Sequence, residues 1–412
     1  MTDSEVAAVP TVDADRRTVD RARWAITLVF FVNGLLISTY LVRIPSLKAS
    51  LGLGETTLGV VLTCYGVAAL GSMQSVGPLV ARFGSRNVVR VTLAALPFAL
   101  AGIGVAGDAR QLAVAVAVAG GVHGTLDVAM NAHAVAVEKR RGRPILNGCH
   151  AAWSISAILS SLLGAAVIRA GIPVFDHMLW VAVVLFAAGL PLTLWLLPAS
   201  ADRAAPASGD GGGPARPGWR TGWTRTVAVF GAIGLVLMLC EAAVISWSGV
   251  FLHEDRGASL AVAAFGYGAF TLFQTLGRLT GDRLTERFGR TAVFRAYASI
   301  AALGFGIVLV GDSPAPALAG FAVLGYGTSV LVPLIFSAAG QAGGEGAGAA
   351  TFVSRITTFT YAGILMGPAA VGWLGQAFGL SWTFAGLIPF MLAAVLLAGV
   401  MRSVDRPAAV TG

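Results

Sequence analysis

Gly77-Pro-Leu-Val-Ala-Arg82-Phe83-Gly84-Ser-Arg86 returns in altered form as Gly281-Asp282-Arg283-Leu-Thr-Glu286-Arg287-Phe288-Gly289-Arg290. The Arg-Phe-Gly cores of the two segments lie about 205 residues apart, roughly half the length of the chain. Each segment follows the second long apolar run of its half of the chain. The sequence therefore predicts an internal repeat, in which two related halves are joined end to end.

The composition indicates a protein whose outer surface faces lipid. Of the 412 residues, 56% are hydrophobic and 12% are charged, whereas a soluble domain is about 25% charged. The net charge of +8 does not indicate nucleic acid, because the basic residues lie in short loops and form no continuous basic face. Cys64, Cys149 and Cys240 lie far apart, so neither a disulfide framework nor a metal site is expected.

Twelve runs are apolar and long enough, at roughly 20 residues, to cross a bilayer as helices. Strands do not fit, because each run is too long and lacks alternation with a period of two. The polar N-terminus is not read as a signal peptide, because the first apolar run is long enough to span a membrane. The predicted spans lie near 24–42, 57–80, 88–106, 111–137, 147–169, 178–197, 225–252, 260–280, 291–311, 316–339, 350–376 and 380–401.

The loops predict the orientation of the chain. With an even number of spans, both ends lie on one side, and about 22 of the 28 Lys and Arg residues fall on that side. By the positive-inside rule, both termini are expected in the cytoplasm. The protein is expected to lie in the plasma (inner) membrane of the cell. A count wrong by one span would scramble this asymmetry, so the bias also supports the number of spans.

A polar segment from Ala199 to Arg225 divides the chain. It contains Gly209-Asp-Gly-Gly-Gly-Pro214, a composition typical of a flexible linker. The predicted organisation is a cytoplasmic tail (1–23), an N-terminal six-helix bundle (24–197), a cytoplasmic linker (198–224), a C-terminal six-helix bundle (225–402) and a second cytoplasmic tail (403–412).

The repeated loop resembles the signature of the major facilitator superfamily: a glycine, an acidic residue, Arg, any residue, Gly and Arg. The second copy matches better, whereas the first has Ala81 where the acid belongs. Further segments resemble the fucose-permease-like branch and its YbjJ-type members, namely Arg43-Ile-Pro45, Asp127-Val-Ala-Met-Asn131, His150-Ala-Ala-Trp153-Ser154, Glu241 with Trp247, and Gly277-Arg278-Leu-Thr-Gly281-Asp282-Arg283. The resemblance covers roughly 24–400 and implies an all-α membrane protein of two pseudo-symmetric six-helix bundles that rock around a central site.

Polar stripes predict which spans face water. The eighth span carries Tyr267, Thr271, Gln274 and Arg278 on one helical face. Spans 3, 6 and 12 are almost uniformly apolar, and span 9 is close to that. We expect these four at the periphery against lipid, with the others enclosing a polar cavity. The resemblance implies the same division.

Two carboxylates near mid-span need an explanation, because an ionisable group there costs about 2.5–3.5 kcal/mol. Asp127 and Glu241 either bind a proton or a solute hydroxyl or amine, or form a structural hydrogen bond or ion pair. Asn131 either shares a polar group of the solute or orients Asp127. Trp153 either stacks on a sugar ring or packs. The predicted substrate and proton pathway comprises Asp127, Asn131, Glu241, His150, Trp153, Asn33, Gln274 and Tyr326.

Loop charges predict a gate on the cytoplasmic side. Arginines there are expected to pair with acids such as Glu138 and Glu286, and the pairs to break as the halves rock. The alternative is a purely topogenic role. The predicted gate comprises Arg82, Arg86, Glu138, Asp282, Arg283, Glu286, Arg287, Arg290 and Arg355.

These features favour a monomeric, proton-coupled carrier of a small solute, such as a sugar or a related metabolite, with no cofactor. Export of a drug or metabolite is the main alternative. A non-transporting receptor or scaffold is a weaker alternative, because it would predict a soluble signalling domain or a long tail, and the sequence pattern predicts neither. No nucleotide-binding loop, nucleophile elbow or metal cluster stands out, so an enzyme is not predicted.

Overall fold

The computed structural model describes residues 12–201, 223–342 and 347–403. These residues contain helices and no β-strand. The helices are α1 (Val12–Leu51), α2 (Glu55–Phe83), α3 (Ser85–Ile103), α4 (Ala109–Arg141), α5 (Leu146–Arg169), α6 (Val174–Leu192), α7 (Arg225–Glu254), α8 (Leu260–Ala263 continued by Phe265–Phe288), α9 (Arg290–Leu309), α10 (Pro314–Thr328 continued by Leu331–Ala342), α11 (Ala347–Phe378) and α12 (Leu380–Leu397).

The predicted fold class is confirmed. Within the described residues, eleven helices are long and apolar enough to cross a membrane. α11, with 32 residues, lies at the position of the predicted eleventh span. Short loops join consecutive helices within each half, so these helices alternate in direction. The start of α1 therefore shares one side with the ends of α2 and α4, in agreement with the pairing of Asp20 and Arg141. We call this side the basic side, because its loops carry most of the Lys and Arg residues, and the opposite one the far side.

The first helix begins earlier than the predicted span. α1 starts at Val12, so the second half of the predicted N-terminal tail is helical. Val19 and Ala22 are buried against the bundle, and Asp20 pairs with Arg141 of α4 at 3.5 Å. A polar helical turn with one packed face lacks the hydropathy of a span, which is why the sequence pattern did not show it. Residues 202–222 of the predicted linker and 404–412 of the second tail lie outside the described residues.

The two halves repeat one packing scheme. In the N-terminal half, α2 packs on α4, α1 on α5, and α3 on α4 and α6. In the C-terminal half, α8 packs on α10, α7 on α11, and α9 on α10 and α12. Adding six to each helix number of the first half gives the pairs of the second half. The repeat in the sequence is therefore also a repeat in helix packing.

The glycines of the repeated loop have matching backbone conformations. Gly84 between α2 and α3 has φ 78° and ψ 148°, and Gly289 between α8 and α9 has φ 78° and ψ 155°. Residues with a Cβ rarely adopt a positive φ of this size. The loop therefore requires glycine at this position in both halves, because one helix must end there and the next begin at once.

The halves meet where α2 packs on α11, α5 packs on α8, and α1 packs on both α7 and α8. α3 and α6 pack within the first half, and α9 and α12 mainly within the second. The predicted division into central and peripheral helices therefore agrees with the packing.

Candidate functional site

A cavity of about 250 Å³ lies where α1, α2, α7 and α11 converge. Its lining is mainly aliphatic, and its polar groups are two tyrosines, one threonine, one serine and one carboxylate. The lining residues are Ile37, Tyr40, Leu41, Leu62, Thr63, Tyr65, Gly66, Met238, Glu241, Ala242, Ile245, Ser246, Ile364, Leu365 and Pro368. Both halves contribute, so the cavity changes whenever the halves move relative to each other.

A larger depression of about 500 Å³ lies elsewhere, on the outer surface of α11 and α12. Phe378, Trp382 and Phe390 line it and are strongly exposed. It has no ionisable lining residue and faces the direction of the lipid. We therefore place the functional site at the smaller cavity between the halves.

Glu241 brings a carboxylate into this cavity from the middle of α7. It is 16 residues from the start of the helix, or about 24 Å at 1.5 Å per residue. Gln274 Nε2 of α8 donates a hydrogen bond to Glu241 Oε1 at 3.0 Å. Arg278, one turn further along α8, is close enough for its charge to interact with Glu241. The predicted polar face of α8 thus contacts the carboxylate of Glu241 on α7.

Asp127 lies near the middle of α4, about 27 Å from the first residue of that helix. The Asn131 amide donates to the backbone oxygen of Asp127 at 2.8 Å. Asn131 therefore does not orient the Asp127 carboxylate, which was one of the two predicted roles. Among the described residues, no hydrogen bond or ion pair reaches that carboxylate.

An aromatic column joins the cavity to the neighbourhood of Asp127. The rings of Tyr40 and Tyr65 stack at 5.6 Å, and Tyr65 is followed by the ring of His123 at 5.9 Å. Tyr65 is close enough to Asp127 for electrostatic interaction. Tyr65 Oη and His123 Nδ1 are buried without a hydrogen-bond partner in the described part of the chain. Three polar groups from α2 and α4 are therefore available for a ligand.

Of the eight predicted pathway residues, Glu241 lines the cavity and the other seven lie outside its lining. Gln274 bonds to Glu241, and Asp127 and Asn131 lie together on α4, whereas the remaining four have other surroundings. Asn33 is buried in α1, where its amide atoms have no partner among the described residues. Trp153 packs against α1 at Gly34. His150 is exposed, and its ring lies 5.2 Å from the ring of Phe30. The ring of Tyr326 stacks on that of Tyr297 at 5.3 Å within the C-terminal half.

The predicted gate residues lie on the basic side, but the expected Glu138 pairing is not formed. Glu138 Oε2 instead accepts hydrogen bonds from the backbone nitrogens of Ile145 and Leu146, at 2.8 and 3.3 Å, and so caps the start of α5. The short loop between α4 and α5 brings these N–H groups back to the carboxylate. The Glu138–Arg pair is therefore not formed in this conformation, and the latch stays a prediction for a conformation in which the basic side is closed.

The other predicted gate residues either contact groups in their own half or are exposed. Arg86 donates to the backbone oxygens of Thr193 and Leu194. Arg290 donates to Gln341 Oε1. Arg82, Arg287 and Arg355 lie over the rings of Phe83, Phe288 and Trp223. Asp282, Arg283 and Glu286 are exposed.

The halves are instead sealed on the far side. Lys48 of α1 pairs with Glu254 of α7 at 2.5 Å and with Glu55 of α2 at 3.4 Å. The sequence analysis missed this triad. A signal was available, because α7 is the repeat counterpart of α1 and the far ends of both helices carry charges of opposite sign.

Backbone contacts and hydroxyl groups complete this seal. Ser161 Oγ of α5 donates to Ala264 O of α8 at 2.6 Å. Ser38 Oγ of α1 lies 3.3 Å from Tyr267 Oη of α8. The backbones of α2 and α11 touch at Gly59 and Gly372.

Three comparisons with known proteins bear on this architecture. A family model described as Major Facilitator Superfamily matches residues 26–356 and 251–411. An uncharacterised MFS-type transporter of Yersinia pestis is 35% identical over 379 residues, which cover 92% of this chain and 94% of that protein. A multidrug resistance protein B homolog of Mycobacterium tuberculosis is 29% identical over 222 residues, covering 50% of this chain and 40% of that protein. The crystal structure of nucleoside transporter NupG has a TM-score of 0.69 at 15% identity and covers 94% of this chain and 100% of that one, which supports the fold alone.

Proposed function

Because the chain belongs to the major facilitator superfamily, we propose that it is a secondary active transporter that moves a small solute across the cell membrane by alternating access. In this proposal the transport is coupled to protons, and the solute is a sugar or a related metabolite. Both termini lie in the cytoplasm, as the positive loops indicate. The basic side is then the cytoplasmic side, and the far-side seal makes this an inward-facing conformation.

The observation that carries the proposal is the Asp127 carboxylate. It lies near mid-helix in a membrane protein, and no hydrogen bond or ion pair reaches it among the described residues. A charged group in such a place is costly, and desolvation favours the neutral, protonated carboxyl. A carboxylate without a structural partner is free to exchange its proton or to bind a solute when the cavity opens.

The groups around Asp127 support a hydroxyl-bearing solute over an amine. Asp127 when ionised only accepts hydrogen bonds, whereas the Tyr65 O–H needs an acceptor. A hydroxyl group donates and accepts, so it can satisfy both. An ammonium group has no acceptor and leaves the buried Tyr65 O–H unsatisfied, which is unfavourable. Two adjacent hydroxyls could in addition reach His123 Nδ1, which favours a polyhydroxylated ring.

The size of the cavity supports the same choice. About 250 Å³ falls below the range of roughly 300–1,000 Å³ that is typical of sites for drug-sized ligands. Export of a drug or metabolite remains the second candidate, because the lining is largely aliphatic and one partial relative is named a multidrug resistance protein.

Transport assays in proteoliposomes test the coupling. We expect Asp127→Asn to remain folded but to lose uptake of radiolabelled monosaccharides driven by a pH gradient, while counterflow without a gradient persists. Asp312→Asn, in an exposed far-side loop, is the matched control. Full gradient-driven uptake by Asp127→Asn would remove Asp127 from the coupling role.

Binding measurements test the solute class separately. Saturation-transfer NMR of the purified protein with one pool of neutral monosaccharides and one of primary amines distinguishes the two. Tyr65→Phe removes only the hydroxyl and should abolish the sugar signals. Tyr297→Phe removes a hydroxyl bonded within the C-terminal half and should leave them unchanged. Signals from the amine pool alone would contradict a hydroxyl-bearing solute.

A further inference from the structure

Lys48 is a buried cation that carboxylates from both halves share. Its side chain is 8% exposed, whereas those of Glu55 and Glu254 are 22% and 32% exposed. Water can therefore solvate either acid more readily than the lysine. A buried charge that loses its only partner is strongly destabilising. The lysine thus depends on its partners more than they depend on it.

The two acids differ in what happens to them when the far side opens. Glu254 belongs to the C-terminal half and leaves with α7. Glu55 is the first residue of α2, and only Gly52–Gly54 separate that helix from the end of α1. Lys48 and Glu55 therefore stay together through the motion, whereas Lys48 and Glu254 separate.

The distances in the closed state suit such an exchange. Lys48 Nζ lies closer to Glu254 Oε1, at 2.5 Å, than to Glu55 Oε1, at 3.4 Å. Glu55 is within reach but is the weaker partner while the halves are together. A small rotation of the lysine side chain would bring it fully onto Glu55 after Glu254 has left.

We propose that Glu55 is the reserve partner of Lys48, which takes over the lysine when Glu254 departs and thereby keeps the far-side seal reversible. This inference rests on the proposed alternating access. It predicts effects of opposite sign for the two acids. Glu254→Gln weakens the closed state and favours opening, whereas Glu55→Gln leaves the lysine unpaired in the open state and opposes opening. If both acids merely reinforced closure, both variants would favour opening.

The test measures how often the far side opens. Ser246 lines the cavity behind the seal, so a cysteine there meets a membrane-impermeant maleimide from outside only when the far side is open. The partly exposed Cys64 is replaced by serine to prevent background labelling. Right-side-out vesicles carrying Ser246→Cys give the labelling rate, which is proportional to the open population when opening and closing are fast.

We expect Glu254→Gln to label at least tenfold faster than the parent and Glu55→Gln at least tenfold slower. Asp312→Asn should stay within twofold of the parent. In a Lys48→Met background, Glu55→Gln should no longer slow labelling, because Glu55 then has no lysine to bind. The four proteins form a double-mutant cycle, which isolates the interaction energy between the two sites. This last comparison also cancels any effect of Glu55 on the start of α2.

The proposal is overturned if both single variants change the rate in the same direction, if Glu55→Gln has no effect, or if Glu55→Gln still slows labelling without the lysine. Inside-out vesicles separate this from a failure of the proposed function. They present the open basic side to the reagent, so the parent should label fast in them. If the orientation were reversed, the parent would instead label fast in right-side-out vesicles. If access did not alternate, no variant would change the rate.

Discussion

Gly372→Ala should open the far side, because this glycine allows the backbones of α2 and α11 to touch. A Cβ at Gly372 would lie 2.6 Å from the backbone oxygen of Glu55 and 3.0 Å from Gly59 Cα. From the other side, a Cβ at Gly59 would lie 2.8 Å from Pro368 O. The two nearest atoms to a Cβ at Gly372 belong to the backbone, so no side-chain rotation can remove these contacts.

The size of the effect follows from these distances. Moving the new methyl group from 2.6 Å to ordinary contact, which begins at 3.4 Å, requires α2 and α11 to separate by somewhat under 1 Å. Overpacking of this kind costs about 1–3 kcal/mol. The contact exists only while the far side is closed, so the whole cost acts on the equilibrium. The open population should rise by about 5- to 150-fold.

Spin labels measure this population directly. Thr57→Cys and Ala377→Cys place exposed labelling sites near the far ends of α2 and α11, and the distance distribution between them reports the open fraction. Gly386→Ala in α12 is the matched control, because nothing lies within 4 Å of a Cβ there and it brings the same gain in helix propensity. The reasoning is refuted if Gly372→Ala gives the same distribution as Gly386→Ala.

Three further substitutions test contacts outside the transport cycle by thermal unfolding. His133→Leu removes bonds to Ser85 Oγ and the Leu197 nitrogen, so we expect a loss of about 1–3 kcal/mol; an unchanged Tm would show that neither bond matters. Glu138→Ala removes the carboxylate that caps the start of α5 and should lower the free energy of unfolding by about 1 kcal/mol. Added salt should not restore this loss. Asp255→Ala removes the carboxylate that binds the first turn of α12 and should lower the Tm similarly, whereas Asp312→Ala should not.

The twelve spans and the repeat were predictable because they depend on local properties. Hydropathy over about 20 residues identifies a span whatever it packs against. The paired glycines at 84 and 289 keep the same φ of 78° in both loops, so the repeat reflects a backbone requirement that the sequence expresses directly. The division into central and peripheral helices followed from polar stripes for the same reason.

The partners of individual side chains were not predictable, because they depend on how the helices dock. Lys48 and Glu254 are 206 residues apart, and their pairing requires the far ends of α1 and α7 to meet. Glu138 was expected to bind arginines, yet in this conformation it accepts hydrogen bonds from backbone N–H groups at the start of α5. Asp127 and Glu241 were identified from the cost of a buried charge alone, and that argument does not say which of them has a structural partner.

The far-side seal shows how a carrier can close one side without becoming trapped. If the halves alternate as proposed, the protein must visit both states, so their free energies can differ by only a few kcal/mol. A large apolar interface on one side would exceed that limit. Here the polar and close-backbone contacts between the halves include a glycine contact, two hydroxyl hydrogen bonds and one shared lysine. The glycine contact buries little side-chain area, and hydroxyl groups can exchange their bonds for water at a small net cost. The lysine is the one component whose separation would be costly, and it is also the one for which the same half supplies a second carboxylate.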